Sequence, residues 1–310
     1  MKQKLTGCLM IFLFIVIIPT IITLLLRKED SLPVSGDDMQ TSGKVSVDGR
    51  ENIDLQEYLI GVTAAQVPGN YSLEAVKAQM ILNRTYYYQV LSDRTNLSAD
   101  ELGLEYLTKE ERMALWRNEE CTDAADIFLQ AAVETKGQVM TCQRALAVGM
   151  YHPVSAGKTR TFGEEYPYLC RVDSEWDKNA AGYITVIDYN SSVLLQKINA
   201  AWDLELSQGS LKSSLQILKR DEAGYVEQIL VGTVIAKGEE LAKCLSLPST
   251  AFVFQWPEED RLSIVCLGRG HGYGMSQYGA DCLAREGKTV LQILQYYFQN
   301  VTIETWKRNE

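Results

Sequence analysis

Histidine is scarce in this chain of 310 residues, which contains only His152 and His271. A histidine-rich metal site therefore has little raw material, and neither an HExxH pattern nor a carboxylate-rich cluster is present. We predict no metal site and no other cofactor.

Cysteine is neither paired nor clustered. The seven cysteines are scattered and odd in number, and none forms a CxxC pair. This distribution fits neither a disulfide framework nor a zinc cluster. We expect most of them to be small buried hydrophobic residues, with one disulfide left open if the domain faces an oxidising space.

Several catalytic and nucleotide-binding motifs are also missing. The glycine-rich segment 268–274 reads GRGHGYG, with Tyr273 where a dinucleotide fingerprint requires glycine. It does not end in Gly-Lys-Ser/Thr, which excludes a P-loop. Ser276 lies in GMSQYG and not in a GxSxG elbow, and a pairing of Cys282 with His271 has no sequence signature.

Positive charge is in deficit, because the formal net charge is −10. A general nucleic-acid binder needs a basic face for the phosphate backbone. We therefore predict no nucleic-acid partner.

A long apolar run stands near the N-terminus. Residues 9–26 follow Lys2 and Lys4 and end at Arg27 and Lys28. As a helix, the run would rise about 27 Å, close to the hydrocarbon thickness of a bilayer. A cleaved signal peptide is the alternative, but its small-residue cleavage site is missing. We favour residues 1–28 as a cytoplasmic tip and transmembrane signal anchor, although the basic residues at both ends give only a slight orientation bias.

The remainder predicts an α+β fold, a mixed helix and antiparallel-strand domain beyond a single-pass membrane helix. Polar residues 29–44 are typical of a linker, and residues 45–306 form the predicted domain. Helical spacing follows Asp54 and Ser72. Strand patterns occupy several segments: 137–147, 215–220, 226–235, 251–256 and 262–268.

The junction between the first two predicted helices contains Gln66. Pro68 ends the first helix near Gln66, because a residue before proline avoids the helical region. Asp54 and Glu57 form a capping-box pattern at its start. On the second helix, Lys77 and Arg84 are seven residues apart and lie on nearly the same face.

The glycine-rich segment predicts a second cluster of polar side chains. Alternating glycines allow sharp turns or close approach of the backbone to a ligand. His271, Ser276 and Gln277 would then cluster where a strand turns into a helix. A structural histidine in a tight turn is the simpler interpretation of His271.

Several segments together resemble the stage II sporulation protein D family of bacterial cell-wall proteins. The resemblance runs from about Val45 to Ile303. The segments that carry it are EYLIGVTAAQVPGNYSLEAVKAQMILNRTY, AVETKGQVMT, MYHPVSAGKTR, YPYLCRVDSEWD and GRGHGYGMSQYGADCLAREGKTVLQILQYYF.

The resemblance implies an extracytoplasmic domain, anchored in the cell membrane, that acts on peptidoglycan glycan strands. Active members are lytic transglycosylases that cut between N-acetylmuramic acid and N-acetylglucosamine and leave a 1,6-anhydro end. They act with an amidase that strips the stem peptides during engulfment of the forespore. The expected location therefore includes the space between mother cell and forespore.

The family's general acid is a glutamate in an Ala-Ala-Glu-x-Pro motif, and Gln66 occupies that position here. A glutamine has no proton to give at neutral pH, and loss of general acid–base help typically costs about 10²–10⁴-fold in rate.

The other positions that the resemblance assigns to substrate binding are Lys77, Arg84, His152, His271, Ser276 and Gln277. Some members bind zinc through a histidine and two cysteines. Lys158 and Glu164 stand at comparable spacing here, so we expect that site to be absent.

Three hypotheses follow, and whether the chain is an enzyme stays open among them. The first is a membrane-anchored glycan-binding protein whose transglycosylase activity is weakened or lost. The second is an active lytic transglycosylase in which another carboxylate supplies the acid. The third is a membrane-tethered scaffold without glycan contact. Gln66 favours the first over the second, and the retained Lys77, Arg84 and glycine motif disfavour the third.

Overall fold

The computed structural model describes residues 44–47, 51–92, 94, 97–258 and 261–306. The predicted membrane helix at 9–26 and nearly all of the predicted linker lie outside these residues. Within the described ranges, no helix is long and apolar enough to cross a membrane. Helices and mostly antiparallel strands are mixed along the chain, which confirms the α+β prediction.

The helices lie before, within and after a strand-rich middle. In chain order they are α1 (Leu55–Gln66), α2 (Leu73–Leu91), α3 (Ala99–Leu102), α4 (Lys109–Asn118), α5 (Ala124–Glu134), α6 (Ser191–Trp202), α7 (Leu211–Ser214), α8 (Gly238–Leu245), α9 (Gln277–Arg285) and α10 (Val290–Tyr297). Short 3₁₀ turns occupy Glu175–Asn179 and Gln208–Ser210.

The strands form small sheets. In chain order they are β1 (Lys44–Val47), β2 (Glu51–Asp54), β3 (Leu97–Ser98), β4 (Gln138–Cys142), β5 (Ala145–Leu146), β6 (Tyr151–His152), β7 (Ile184–Asn190), β8 (Leu215–Arg220), β9 (Val226–Val231), β10 (Val234–Lys237), β11 (Phe252–Glu258), β12 (Arg261–Leu267), β13 (Met275–Ser276) and β14 (Val301–Thr305). Their orders are β2-β1-β3, β14-β4-β5, β13-β6, β11-β12-β7 and β10-β9-β8. The pairs β1–β3 and β6–β13 are parallel, and the other strand pairs in these sheets are antiparallel.

Helix α1 starts and stops where its sequence predicts. Asp54 caps the first turn, and its side chain accepts a hydrogen bond from the backbone N–H of Gln56 at 2.8 Å. The helix ends at Gln66, two residues before Pro68. The second half of the predicted capping box is wrong, because Glu57 instead pairs with Arg112 of α4 at 2.6 Å.

One predicted strand is divided in two. The pattern at 226–235 predicts a single strand, but Gly232 has φ +63° and turns the chain back on itself. Val234 therefore pairs with Val231 as β10 begins beside β9.

Two hydrophobic cores stabilise the described part of the chain. The helical core contains fully buried side chains of α1, α2 and α5, such as Leu59, Met80 and Phe128. The sheet core gathers residues of the strand-rich middle, such as Ile229 and Ile264. Burial of each such large aliphatic or aromatic side chain contributes about 1.5–3 kcal/mol before the cost of chain ordering.

The strand-rich middle leaves and rejoins the rest of the chain at one place. The backbone N–H of Gly268 donates to the carbonyl oxygen of Tyr183 at 2.7 Å, just outside the ends of β7 and β12. Residues 184–267 therefore form an excursion whose two ends are adjacent.

The glycine-rich segment passes between other parts of the fold too closely for side chains. Gly272 has φ +83°, and a Cβ at this residue would overlap the ring of Tyr225. Gly274 has φ +70°, and a Cβ there would overlap the carbonyl oxygen of Met150. Both the backbone conformation and the lack of space require glycine. The segment then enters β13, which lies beside β6.

The expectation that most cysteines are buried is wrong for the described residues. Cys266 is buried in the sheet core, whereas the others in the described ranges are half-buried. All of them are free thiols: Cys121, Cys142, Cys170, Cys244, Cys266 and Cys282.

Candidate functional site

A cavity of about 730 Å³ lies where the end of α1 meets the start of α9. The α1–α2 connection and two loops complete its wall. The residues that line it are Ala64, Ala65, Gln66, Val67, Pro68, Asn70, Tyr71, Leu115, Glu119, Pro153, Val154, Ala180, Ala181, Arg269, Gln277, Tyr278, Asp281, Cys282 and Arg285. Two sequence-predicted site residues, Gln66 and Gln277, thus come together although they are distant in the chain.

Gln66 is held from behind by two amide donors. Its Oε1 accepts hydrogen bonds from Gln79 Nε2 and from Asn83 Nδ2, each at 2.8 Å. Asn83 Nδ2 also donates to Thr63 Oγ1 at 3.1 Å. Gln79 and Asn83 are buried in α2, whereas Gln66 is half-buried. The protein therefore fixes the carbonyl side of the Gln66 amide.

Gln277 continues this arrangement across the fold. Its Nε2 donates to Gln79 Oε1 at 3.1 Å, and Gln79 Nε2 donates in turn to Gln66. We call Gln66, Gln79 and Gln277 the amide chain. Each of its internal bonds joins a carbonyl oxygen to the N–H₂ of the next amide. The Gln66 N–H₂ and the Gln277 carbonyl are left at the two ends, and both residues line the cavity.

Ser276 anchors the start of α9 and does not line the cavity. Its buried hydroxyl donates to Asp177 Oδ1 at 2.9 Å and accepts from the backbone N–H of Gly279 at 3.2 Å. Asp177 also accepts from the backbone N–H of Ser155 at 2.8 Å. Burial raises the pKa of Asp177, although these hydrogen bonds work in the opposite direction.

The two histidines lie side by side, with ring centroids 5.8 Å apart, and neither lines the cavity. His152 is fully buried, and its Nδ1 donates to the carbonyl oxygen of Tyr273 at 3.1 Å. Burial, and then the neighbouring His271, lower the pKa of His152 to about 3, so the ring is neutral at pH 7. His271 is exposed and accepts a hydrogen bond from the backbone N–H of Tyr273 through Nδ1.

Lys77 is engaged with carboxylates at the edge of the helical core. Its ammonium group pairs with Glu74 at 2.5 Å and also with Glu134 of α5. Partial burial opposes its charge, but hydrogen bonds to Glu134 and Glu74 raise the pKa of Lys77 overall. Lys77 does not line the cavity.

Arg84 is fully buried, away from the cavity. Its guanidinium donates to Gln56 Oε1 at 2.9 Å, to the carbonyl oxygen of Gln138 at 3.1 Å and to Thr135 Oγ1 at 3.3 Å. Burial lowers the pKa of Arg84 to about 10. The structure does not bring Lys77 or Arg84 to the cavity, and their substrate-binding role remains a prediction.

Two carboxylates stand on the cavity wall, Glu119 and Asp281. Asp281 is occupied by protein partners, because it accepts from the backbone N–H of Ser72 at 2.7 Å and pairs with Arg285 at 2.8 Å. Glu119 is exposed, at the end of α4.

No group of three or more histidine, cysteine or acidic side chains in the described ranges is arranged to hold a metal ion. Lys158, at one of the zinc-ligand positions of the resemblance, pairs with Asp173 at 3.8 Å.

Sequence reasoning missed Gln79, Asn83 and Asp177. A signal for the first two is their spacing, since residues four apart share one helix face, and both interrupt an otherwise apolar stretch of α2. Asp177 had no local signal, because its partners Ser155 and Ser276 come from distant segments.

Comparison with known sequences bears directly on this arrangement. The profile of a family described as "Stage II sporulation protein" matches residues 44–142, which include Gln66, Gln79 and Asn83. The chain is 30% identical over 267 residues to Stage II sporulation protein D of Bacillus subtilis (strain 168), across 82% of this chain and 75% of that protein. The chain belongs to the stage II sporulation protein D family. The predicted resemblance is therefore confirmed.

Further relatives agree with this membership. Stage II sporulation protein D of Bacillus amyloliquefaciens is 29% identical over 267 residues, covering 82% of this chain and 75% of that protein. A protein of Bacillus subtilis (strain 168) named Amidase enhancer is 22% identical over 348 residues, covering 89% of this chain and 47% of that protein.

Proposed function

We propose that this member of the stage II sporulation protein D family binds peptidoglycan glycan strands and has weakened or lost lytic transglycosylase activity. Family membership relates the chain to sporulation. Its similarity to a protein named Amidase enhancer supports a cell-wall role and an amidase of the sporulation machinery as a partner.

The observation that carries the proposal is the amide of Gln66 on the cavity wall. A lytic transglycosylase needs one carboxyl group that first protonates the leaving oxygen and then accepts a proton, because the sugar's own 6-hydroxyl attacks the anomeric carbon. A carboxamide can donate a hydrogen bond but cannot transfer that proton at neutral pH. The cavity thus offers a wall of mixed polar and apolar side chains without the acid at position 66.

The test uses the full chain in detergent micelles and peptide-stripped glycan strands. We expect the protein to retain the strands in a sedimentation assay and to release no 1,6-anhydro ends, as measured by mass spectrometry. Abundant anhydro ends would contradict the loss of activity, and a failure to retain the strands would contradict the binding function and favour the scaffold hypothesis.

Gln66→Glu is the companion variant, since it returns a carboxyl group with almost no change of shape. Anhydro ends from this variant alone would identify the missing proton donor as the sole catalytic defect.

A second candidate function is an active lytic transglycosylase that uses another acid. Glu119 favours it, because this exposed carboxylate lies on the wall of the same cavity. If the unchanged protein does cleave strands, Glu119→Gln should abolish cleavage while strand retention persists.

The proposal includes a membrane anchor at residues 9–26, with the domain outside the cytoplasm and facing the glycan, including the space between mother cell and forespore. The apolar composition of residues 9–26 supports it. Protease added to intact cells should digest residues 45–306. Complete protection of this region would contradict the orientation.

A further inference from the structure

We infer that Gln79 and Asn83 fix the Gln66 amide as a hydrogen-bond donor that recognises the acetamido carbonyl of an N-acetylated sugar. The inference rests on the proposed glycan-binding function and assigns a positive role to the residue at position 66. Gln79 and Asn83 act as positioning residues, and Gln66 is the group that would touch the ligand.

The orientation of the Gln66 amide follows from its partners. Its Oε1 accepts from Gln79 Nε2 and Asn83 Nδ2, both at 2.8 Å. If this amide alone turned over, its N–H₂ would face two N–H₂ donors, and all three groups would lose a partner.

The two donors are themselves oriented by other groups. Gln79 presents its N–H₂ to Gln66, while its carbonyl accepts from Gln277 Nε2 at 3.1 Å. Asn83 also donates to Thr63 Oγ1 at 3.1 Å. Thr63, Gln79, Asn83 and Gln277 are buried, so the network that orients the Gln66 amide forms within the protein.

The free end of Gln66 is available for binding. Within the part of the chain that the structure describes, its Nε2 makes no hydrogen bond, and it is not among the fully buried unpaired polar atoms. Gln66 is half-buried and lines the cavity of about 730 Å³. The N–H₂ group in this position can donate a hydrogen bond to a ligand that enters the cavity.

The chemistry of the donor selects the partner. A neutral N–H₂ at the end of aligned amides is polarised by the bonds behind it, which strengthens its donation. In an N-acetylated glycan the strong neutral acceptor is the amide carbonyl, whereas hydroxyl groups also donate and so fit a fixed donor less selectively. A carboxylate at position 66 would present an acceptor to the same carbonyl.

The binding test compares two neutral probes, a pentamer of N-acetylglucosamine and cellopentaose, which carries a hydroxyl in place of each acetamido group. Dissociation constants are measured calorimetrically at pH 8 with the full chain in detergent micelles. We expect the unchanged protein to bind the acetylated pentamer at least about tenfold more tightly, the size of one well-placed hydrogen bond.

Gln66→Glu is the direct variant, because it keeps Oε1 and its two donors but removes the N–H₂. It should lose about tenfold in affinity for the acetylated pentamer and little for cellopentaose. Gln228→Glu is the matched control, since Gln228 is exposed on β9 and the substitution changes net charge identically. It should keep the preference of the unchanged protein.

Asn83→Asp tests the positioning role without altering the cavity wall. An aspartate would accept from Gln66 Nε2, turn the amide over and direct its carbonyl into the cavity. We expect the preference for the acetylated pentamer to fall as it does in Gln66→Glu. Thermal unfolding confirms that each variant is folded, which separates a change in preference from a loss of structure.

Equal binding of both probes by the unchanged protein, or an undiminished preference in Gln66→Glu, would overturn the inference. Retention of peptidoglycan strands in that case would leave the proposed function standing. If neither the strands nor the acetylated pentamer binds, both the inference and the proposed function fail.

Discussion

Helix α2 presents two kinds of polar side chain on different sides of its axis, given about 100° of rotation per residue. Lys77 and Arg84 face one side and meet carboxylates, hydroxyls and a backbone carbonyl of the protein. Gln79 and Asn83 face the other side and lead to Gln66 and the cavity. The charged side chains, Lys77 and Arg84, contact other groups of the protein. The neutral side chains, Gln79 and Asn83, lead to Gln66, which is accessible from the cavity.

The difference shows that charge alone does not locate the candidate site. A buried cation needs partners to offset its desolvation, so Lys77 and Arg84 have their partners inside the protein. An amide is less costly to leave half-buried, so Gln66 can keep one side toward the cavity. We therefore expect substitutions on the charged side to act mainly on stability, and those on the amide side on binding as well.

The largest effect should come from Arg84→Ala. The change removes three hydrogen-bonded contacts and leaves a void in the helical core, so we expect a loss of about 3–5 kcal/mol in the free energy of unfolding. Denaturant titration followed by tryptophan fluorescence measures it. Arg117→Ala on the exposed side of α4 is the control and should change stability by less than about 0.5 kcal/mol. A small loss for Arg84→Ala would contradict its structural role.

His152 should make the protein sensitive to acid, because it is buried in its neutral form and takes up a proton when the chain unfolds. Because the pKa of folded His152 is about 3, below the ordinary unfolded value, the unfolded chain binds the proton more readily. The contribution of neutral His152 to the free energy of unfolding is fully present above about pH 6.5. It is lost as the pH falls, by about 1.4 kcal/mol per pH unit down to about pH 3.

His152→Asn keeps a donor near Tyr273 but does not titrate. Unfolding free energies measured from pH 7 to pH 4 should therefore fall less steeply in this variant. Equal slopes for the two proteins would show that His152 is not the source of the acid sensitivity.

Gln79→Leu should have an intermediate effect. The substitution removes the central amide, leaves Gln277 Nε2 without its acceptor and removes one donor from Gln66. We expect a loss of about 1–3 kcal/mol in stability and a weaker preference for acetylated sugars. Denaturant titration together with the pentamer calorimetry checks both. A stable variant with an unchanged preference would break the contrast between the two sides of α2.

Lys77→Met should have the smallest effect. Glu74 and Glu134 are partly exposed, so solvent already screens the lost ion pairs, and we expect a loss of less than about 1 kcal/mol. Thermal melts at low and high salt measure the ionic part, which should shrink as salt rises. A large loss of glycan binding by this stable variant would instead support the substrate-binding role predicted from sequence.

Much of the fold could be predicted because local signals dictate it. Asp54 and Pro68 bound α1, and alternating patterns located β4, β5, β8, β9, β11 and β12 but not β7, which pairs with β12 in the same sheet. The divided strand at Gly232 was missed because a two-residue reversal leaves the apolar pattern almost uninterrupted. The partner of Glu57 was missed because Arg112 is far along the chain and no local rule competes with a capping box.

The candidate site was only partly predictable for the same reason. Motif matching located Gln66 and Gln277, but their connection passes through Gln79, which is buried and resembles an ordinary core polar residue. Ser276 and His152 share the glycine-rich neighbourhood, yet they point into the fold and support it. Which side of a residue is open depends on distant segments, and spacing along one chain does not contain that information.

The hydrogen bond between Gly268 and Tyr183 makes residues 184–267 a natural cassette. Because the two ends of the cassette are adjacent, its length and sequence can change without displacing the helical core. Domain insertions are tolerated for the same reason when their termini lie close together. Several contacts resist exchange. Asp221 and Glu239 pair with Arg160, which lies outside the cassette, and the ring of Tyr225 fills the space beside Gly272. A replacement cassette therefore has to supply a side chain that fills the space of the Tyr225 ring. Without it, the glycine-rich segment would lose the surface against which it packs.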